Sequence, residues 1–159
     1  MLNKDDRYWM QQALLAAHEA KDLGEVPVGA VVVHKSTLIA RAFNRKEAGD
    51  PTAHAEILAL REAAQYLKNW RLRGCILYVT LEPCLMCAGA VIQSRVDRIV
   101  YGATDLKFGA VESMLNSFDY AWNHQPQVTG GICQQESASL LTSFFANRRK
   151  TKDNKKHKS

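Results

Sequence analysis

Two short stretches hold the residues most able to do chemistry: His54-Ala55-Glu56, and Pro83-Cys84-Leu85-Met86-Cys87 further along the chain. Cysteines three residues apart lie on one face of a helix, so both sulfurs can reach one ion, and a histidine from a second helix completes three protein ligands. A zinc ion held by three protein ligands keeps a fourth position for water and brings the pKa of that water to about 7. Glu56 stands two residues beyond His54, roughly 200° further round a helix, so it points away from that ligand's direction and can move a proton instead. Both sulfurs must be thiolates to ligate, and a helix N-terminus favours the thiolate through its unpaired N–H groups and dipole.

Each group also has a plainer reading. A lone Cys-x-x-Cys equally serves redox proteins and four-ligand structural zinc sites, although a redox role leaves the His-Ala-Glu stretch idle. His54 could be a satisfied buried histidine and Glu56 a solvated helix residue. Cys75 and Cys133 sit in apolar strand contexts and read as core thiols, while His18, His34, His124 and His157 show no metal spacing and read as surface residues.

The elements that must position these groups follow from periodicity. Residues 6–23 repeat apolar positions every three or four residues and stop at Gly24, which predicts a surface helix. Val28–His34 and Leu38–Asn44 read as a hairpin. Asp50 with Pro51, or Thr52, caps a helix running to about Leu67. CILYVTL from Cys75 reads as a buried strand, Pro83 opens the helix CLMCAGAVIQS, and Arg98–Ala103 is a fourth strand. Residues 104–126 are long enough for a helical crossover, which makes a strand near Val128–Cys133 parallel to the fourth. Leu140–Arg149 closes the chain as a helix. The fold class is therefore α/β, with a mixed five-stranded sheet sandwiched by helices.

At 159 residues, 47% hydrophobic and 23% charged, the chain suits one ordinary globular domain, so disordered, collagenous and disulfide-scaffold classes are excluded. Four cysteines and a start, MLNKDDRYWM, without an apolar run predict a reducing, cytoplasmic setting. No apolar run approaches the roughly 18 residues of a membrane span. The net charge of +5 is terminal: residues 148–159 carry seven Lys or Arg against one Asp, so the rest is nearly neutral. We expect a domain over 1–149 and a basic, disordered tail over 150–159, solvated or touching nucleic acid through counterion release.

His-x-Glu together with Pro-Cys-x-x-Cys is the signature of zinc-dependent base deaminases. Over residues 7–149 the chain resembles the bacterial tRNA-specific adenosine deaminases, through EVPVGAV (25–31), FNR (43–45), DPTAHAEILALR (50–61), LYVTLEPCLMCAGA (77–90), RIVYGA (98–103), and FF with RR (144–149). The resemblance implies a cytidine-deaminase-like three-layer α/β/α sandwich, a homodimer, and one Zn²⁺ per subunit held by His54, Cys84 and Cys87. It also implies Glu56 as proton shuttle and conversion of adenosine to inosine at the first anticodon position of an arginine tRNA. Asn44 matches a base-contacting asparagine, whose amide can pair with adenine's donor and acceptor edge, although an asparagine at a strand end also caps turns. Arg45, Asp105, Lys107, Phe145 and Arg149 match positions that meet the anticodon loop. Phe108 and Glu112 depart from the family pattern, and the sequence favours a Phe108 ring tucked under its loop over one stacked on a base. Two rival functions share these residues: deamination of a free base or nucleoside such as guanine or cytidine, and noncatalytic RNA binding by a zinc-stabilised module.

Overall fold

The computed structural model describes residues 4–158. Helix α1 (Asp6–Asp22) leads into the hairpin β1 (Gly29–His34) and β2 (Thr37–Phe43), followed by α2 (Ala55–Leu67), β3 (Cys75–Leu81), α3 (Leu85–Ser94), β4 (Arg98–Ala103), β5 (Gln127–Thr129) and α4 (Gln134–Lys156). The strands form one sheet in the order β2-β1-β3-β4-β5. β1 runs antiparallel to β2 and β3, whereas β4 runs parallel to both β3 and β5. The mixed, five-stranded sheet is the one the order of elements predicts.

Alternation along the strands divides the core. Ala30, Val32, Leu77, Val79, Ile99 and Tyr101 face the apolar stripes of α2 and α3. Val31, Val33, Tyr78 and Val100 face Trp9, Met10 and Ala13 of α1. Two glycines permit close approach on that second face. A Cβ on Gly29 would lie 2.0 Å from the Ala13 carbonyl oxygen, and one on Gly102 would lie 2.6 Å from Ser137 Oγ of α4. Helices thus cover both faces in three layers.

Three expectations are corrected. Residues 104–126 contain no α-helix: a single 3₁₀ turn at Ser117–Asp119 interrupts an irregular crossover whose Ala110, Val111 and Phe118 enter the α2–α3 core. Second, α2 starts at Ala55 and α3 at Leu85, each later than the sequence suggests. Asp50, Pro51 and Thr52 form a turn instead, in which Asp50 accepts from the Thr52 N–H at 2.8 Å and its hydroxyl at 2.7 Å. Third, the closing helix is longer than Leu140–Arg149, since α4 spans Gln134–Lys156. Lysine and arginine are good helix formers, no glycine or proline intervenes, and Asp153 lies four residues from Arg149 and three from Lys156.

Candidate active site

The N-cap of α2 is His54 and that of α3 is Cys84, both with extended backbone and neither making a side-chain capping bond. Free of that duty, the two side chains reach towards each other. His54 Nδ1 lies 3.5 Å from Cys84 Sγ and 3.5 Å from Cys87 Sγ. The three ligand atoms all fall within 4.8 Å of one another. A tetrahedral zinc with Zn–S near 2.3 Å and Zn–N near 2.05 Å places sulfur and nitrogen about 3.6 Å apart, so the donor set and its spacing fit that ion. No other such group of His, Cys, Asp or Glu is found among the described residues.

Without a cation these groups share protons. The Cys87 S–H and the His54 ring, both bonded to Cys84, pull its thiol down to about 4 against the opposing effect of burial. The Cys84 thiolate in turn raises His54 and, with burial, holds Cys87 protonated. A divalent ion reverses this, since coordination deprotonates thiols and requires an unprotonated imidazole nitrogen. Glu56, in the first turn of α2, is 4% exposed, and burial raises its pKa. Its carboxylate is not one of the three grouped ligand atoms.

These residues meet at a cavity of about 370 Å³ whose wall includes Asn44, His54, Glu56, Cys84, Asp105 and Phe108. Such a volume is at the small end of ligand pockets. Asn44 is 7% exposed, and its Oδ1 accepts the Ala55 N–H at 2.8 Å. It supplies from the end of β2 the acceptor that His54 does not provide. One lone pair of the amide carbonyl is therefore used, and the Nδ2 donors carry no such bond to the Ala55 backbone.

Glu82 went unnoticed in the sequence. It is 2% exposed, and its carboxylate accepts from the N–H groups of Asp105, Val111, Glu112 and Ser113 and from the Ser113 hydroxyl. These donors hold its pKa down although burial pushes the other way. The one available signal was an acid continuing a buried strand with no partner nearby in sequence. Asp105 extends the clamp: its own carboxylate accepts from the N–H groups of Lys107 at 3.1 Å and Phe108 at 3.2 Å. Glu112 accepts a hydrogen bond from the Tyr101 hydroxyl, which ties the loop to β4.

The structure therefore brings Asn44 and Asp105 to the same cavity as His54, Cys84 and Glu56, with Cys87 adjoining through the triad. Arg45 and Lys107 are exposed outside that wall, Arg45 lying over the Phe43 ring at 5.8 Å. Phe145 and Arg149 lie on α4, where they border a separate shallow depression with Arg148 and Lys152. Phe108 is 71% exposed at the rim, contrary to the tucked position favoured from sequence. Space beneath its turn is taken: a Cβ on the next residue, Gly109, would lie 2.4 Å from the Glu82 carboxylate. Cys75 is buried as a core thiol, and Cys133 is half-buried at the start of α4.

Comparison with known proteins agrees with this geometry. The family profile of the MafB19-like deaminases matches residues 4–149. A tRNA-specific adenosine deaminase of Haemophilus influenzae is 47% identical over 150 residues, covering 92% of this chain and 87% of the relative. Its counterpart from Bacillus subtilis is 45% identical, covering 92% of each. A solved structure from a study of A-to-I editing by tRNA:A34 deaminases at the wobble position matches with a TM-score of 0.82 and 47% identity, covering 84% of this chain and 99% of that one. A guanine deaminase from Nitrosomonas europaea matches with a TM-score of 0.72 and 27% identity, covering 92% of this chain and 87% of that one.

Proposed function

The chain belongs to the tRNA-specific adenosine deaminases, and from that premise we propose that it converts adenosine to inosine at the wobble position of a tRNA, with release of ammonia. The observation that carries this reading is the buried Glu56 carboxylate in one cavity wall with His54 and Cys84, yet outside the grouped ligand atoms. His54 Nδ1, Cys84 Sγ and Cys87 Sγ would hold the metal. When bound there, zinc supplies a Lewis acid that makes hydroxide available near neutral pH.

The remaining steps fall to the chain itself. Asn44 donates from Nδ2 to an acceptor on the purine, while its Oδ1 stays on the Ala55 N–H and keeps α2 in place. Glu56 takes the proton of the attacking water and passes it to the ring, then carries the proton of the newly added hydroxyl to the amino group, which leaves as ammonia as the carbonyl forms. Burial raises its pKa, which strengthens the carboxylate as a base for the water's proton. The small cavity admits a base splayed out of a single-stranded loop and excludes a paired one. Asp105 orders the rim through its backbone contacts.

Arg45, Lys107, Phe145 and Arg149 are proposed to touch the anticodon loop outside the cavity, and the resemblance points to an arginine tRNA. Residues 1–149 form the deaminase unit in this reading, with 150–159 adding cations along the RNA. The homodimer is supported by the outer face of α2 and α3, where Leu60, Ala64 and Ala90 line a groove with the half-exposed Trp70. Leu85 and Met86, exposed between the two cysteines on α3, add apolar surface to that helix, and we infer that a second copy covers it. No helix of the described residues is long and apolar enough to cross a membrane, and reduced Cys84 and Cys87 suit a cytoplasmic enzyme.

The test is to supply zinc-loaded protein with tRNA, with adenosine, and with guanine or cytidine, measuring ammonia and mapping inosine. Inosine at one anticodon position is the expected result. Ammonia from a free base alone would move the assignment to the nucleobase deaminases, and RNA binding without ammonia would leave a noncatalytic module.

A further inference from the structure

Among the described residues, the Phe108 ring belongs to neither core cluster. It is 71% exposed, although a buried phenylalanine stabilises a fold by roughly the largest apolar area that a side chain offers. Its backbone is nevertheless among the more firmly held parts of the crossover. Its N–H and that of Lys107 are taken by the Asp105 carboxylate, the Gly109 N–H bonds to the Asp105 carbonyl at 2.8 Å, and Glu82 anchors the segment from below. Directly after Phe108, the Glu82 carboxylate packs so close to Gly109 that even a Cβ there would lie 2.4 Å from it. A rigid turn therefore presents an aromatic face at the mouth of the cavity that holds Glu56 and His54.

We propose that Phe108 is a specificity residue that stacks on the nucleotide next to the target adenosine in the RNA strand. This rests on the reading that a splayed RNA loop enters the cavity. Only part of the ring lines the wall, so its exposed surface meets what lies outside the mouth, and that is the neighbouring base. Every base has a π-face and none need present a particular hydrogen-bonding edge, so the contact tolerates either base type and favours the larger purine. It adds affinity for strand context while Asn44 and Glu56 act on the target base itself.

A double-mutant cycle on a short stem-loop RNA tests this. Wild type, Phe108→Ala, Phe108→Trp and Phe108→Leu are combined with the intact loop and with loops abasic on the 5′ or the 3′ side of the target, measuring binding and inosine together. Phe108→Ala should weaken intact-loop binding by about 5- to 150-fold, the range for losing one stacked base. Phe108→Trp should restore it and Phe108→Leu should not, with unfolding midpoints unchanged because the ring is exposed. One abasic loop, and not the other, should bind wild type and Phe108→Ala equally. If both abasic loops still separate the two proteins, or if leucine restores binding, the ring acts by packing and stacking is overturned. A cycle that closes in binding while no RNA yields inosine supports the stacking and overturns the deaminase reading instead.

Discussion

Two sets of helix starts lie on opposite faces of the sheet and use the same position differently. At α1 the N-cap is Asp5, whose carboxylate accepts the Tyr8 N–H at 3.0 Å. The next residue, Asp6, binds Arg98 through two contacts of 2.8 and 2.6 Å and accepts the Tyr78 hydroxyl at 2.8 Å, fastening the helix to β3 and β4. At α2 and α3 the N-caps are His54 and Cys84, neither of which makes a side-chain capping bond like that of Asp5, although the backbone N–H of Cys87 helps to hold the Cys84 thiol pKa down. A good capping side chain is worth about 0.5–2 kcal/mol, so the molecule forgoes stability of that order at each of two helices. What it gains is a pair of side chains facing each other at 3.5 Å, ready to take an ion. At α2 part of the loss is recovered through the Asn44 carbonyl on Ala55.

The largest expected effect breaks the second set outright. Cys87→Ser should lower both bound zinc and inosine formation to background, because a hydroxyl is a far poorer zinc ligand than a thiolate. In the wild type, zinc affinity should rise with pH, since Cys87 and His54 are held protonated until the metal expels their protons. Calorimetry in buffers of different ionisation enthalpy would register that release. A zinc affinity unchanged between pH 6 and 8 would contradict the proton arrangement.

Asn44 lies between the two uses, and two substitutions separate them. Asn44→Ala leaves the Ala55 N–H buried without its acceptor, at a cost of about 1–3 kcal/mol in denaturant unfolding, and removes the donor to the purine. Asn44→Asp keeps the acceptor and loses the donor. Unfolding should then stay near the wild type while deamination falls, and equal activity in the Asp variant would reduce Asn44 to a cap.

A smaller effect sharpens the contrast directly. Asp5→Ala should destabilise by about 1 kcal/mol with kcat/KM unaltered. Cys84→Asp should do the reverse to the metal-free protein, raising its stability by a similar amount while abolishing zinc binding. Should Cys84→Asp fail to stabilise the metal-free form, the α3 start is not short of a cap.

Much of this was legible in the primary structure, for reasons that differ by element. β3 and β4 fall at the predicted residues because uninterrupted apolar runs bounded by Gly74 and Asp97 leave little choice. The grouping of His54, Cys84 and Cys87 was legible because ligand chemistry restricts residue type and spacing. The helix starts were misread since Asp50 and Thr52 offer capping groups to each other rather than to α2. The crossover was misread because its backbone donors are satisfied by Glu82, an acceptor more than twenty residues away that no local pattern announces. The bond from the Ala55 N–H to the Asn44 carbonyl is likewise invisible in residue type.

The smallest effect concerns the helical extension of α4. Phe145, Arg149, Lys152 and Lys156 recur at helical spacing along it. Deleting 150–159 removes five lysines against one aspartate and spares Phe145 and Arg149. Zinc content and base choice should persist. If about two phosphate contacts are lost, the slope of log affinity against log salt should fall by roughly 1.4. Titration with tRNA at several salt concentrations measures this, and identical slopes would make the extension a solvated appendage.

On this reading one face of the sheet gives its helix starts to a metal and a proton carrier with separate duties. The most direct test is metal analysis of purified Glu56→Ala beside inosine mapping of tRNA incubated with it. The expected result is about one zinc per chain, as in the wild type, with inosine formation reduced on the order of 10²–10⁴-fold, the usual worth of a general acid–base group. Loss of zinc with the fold intact, or inosine at the wild-type rate, would contradict this reading.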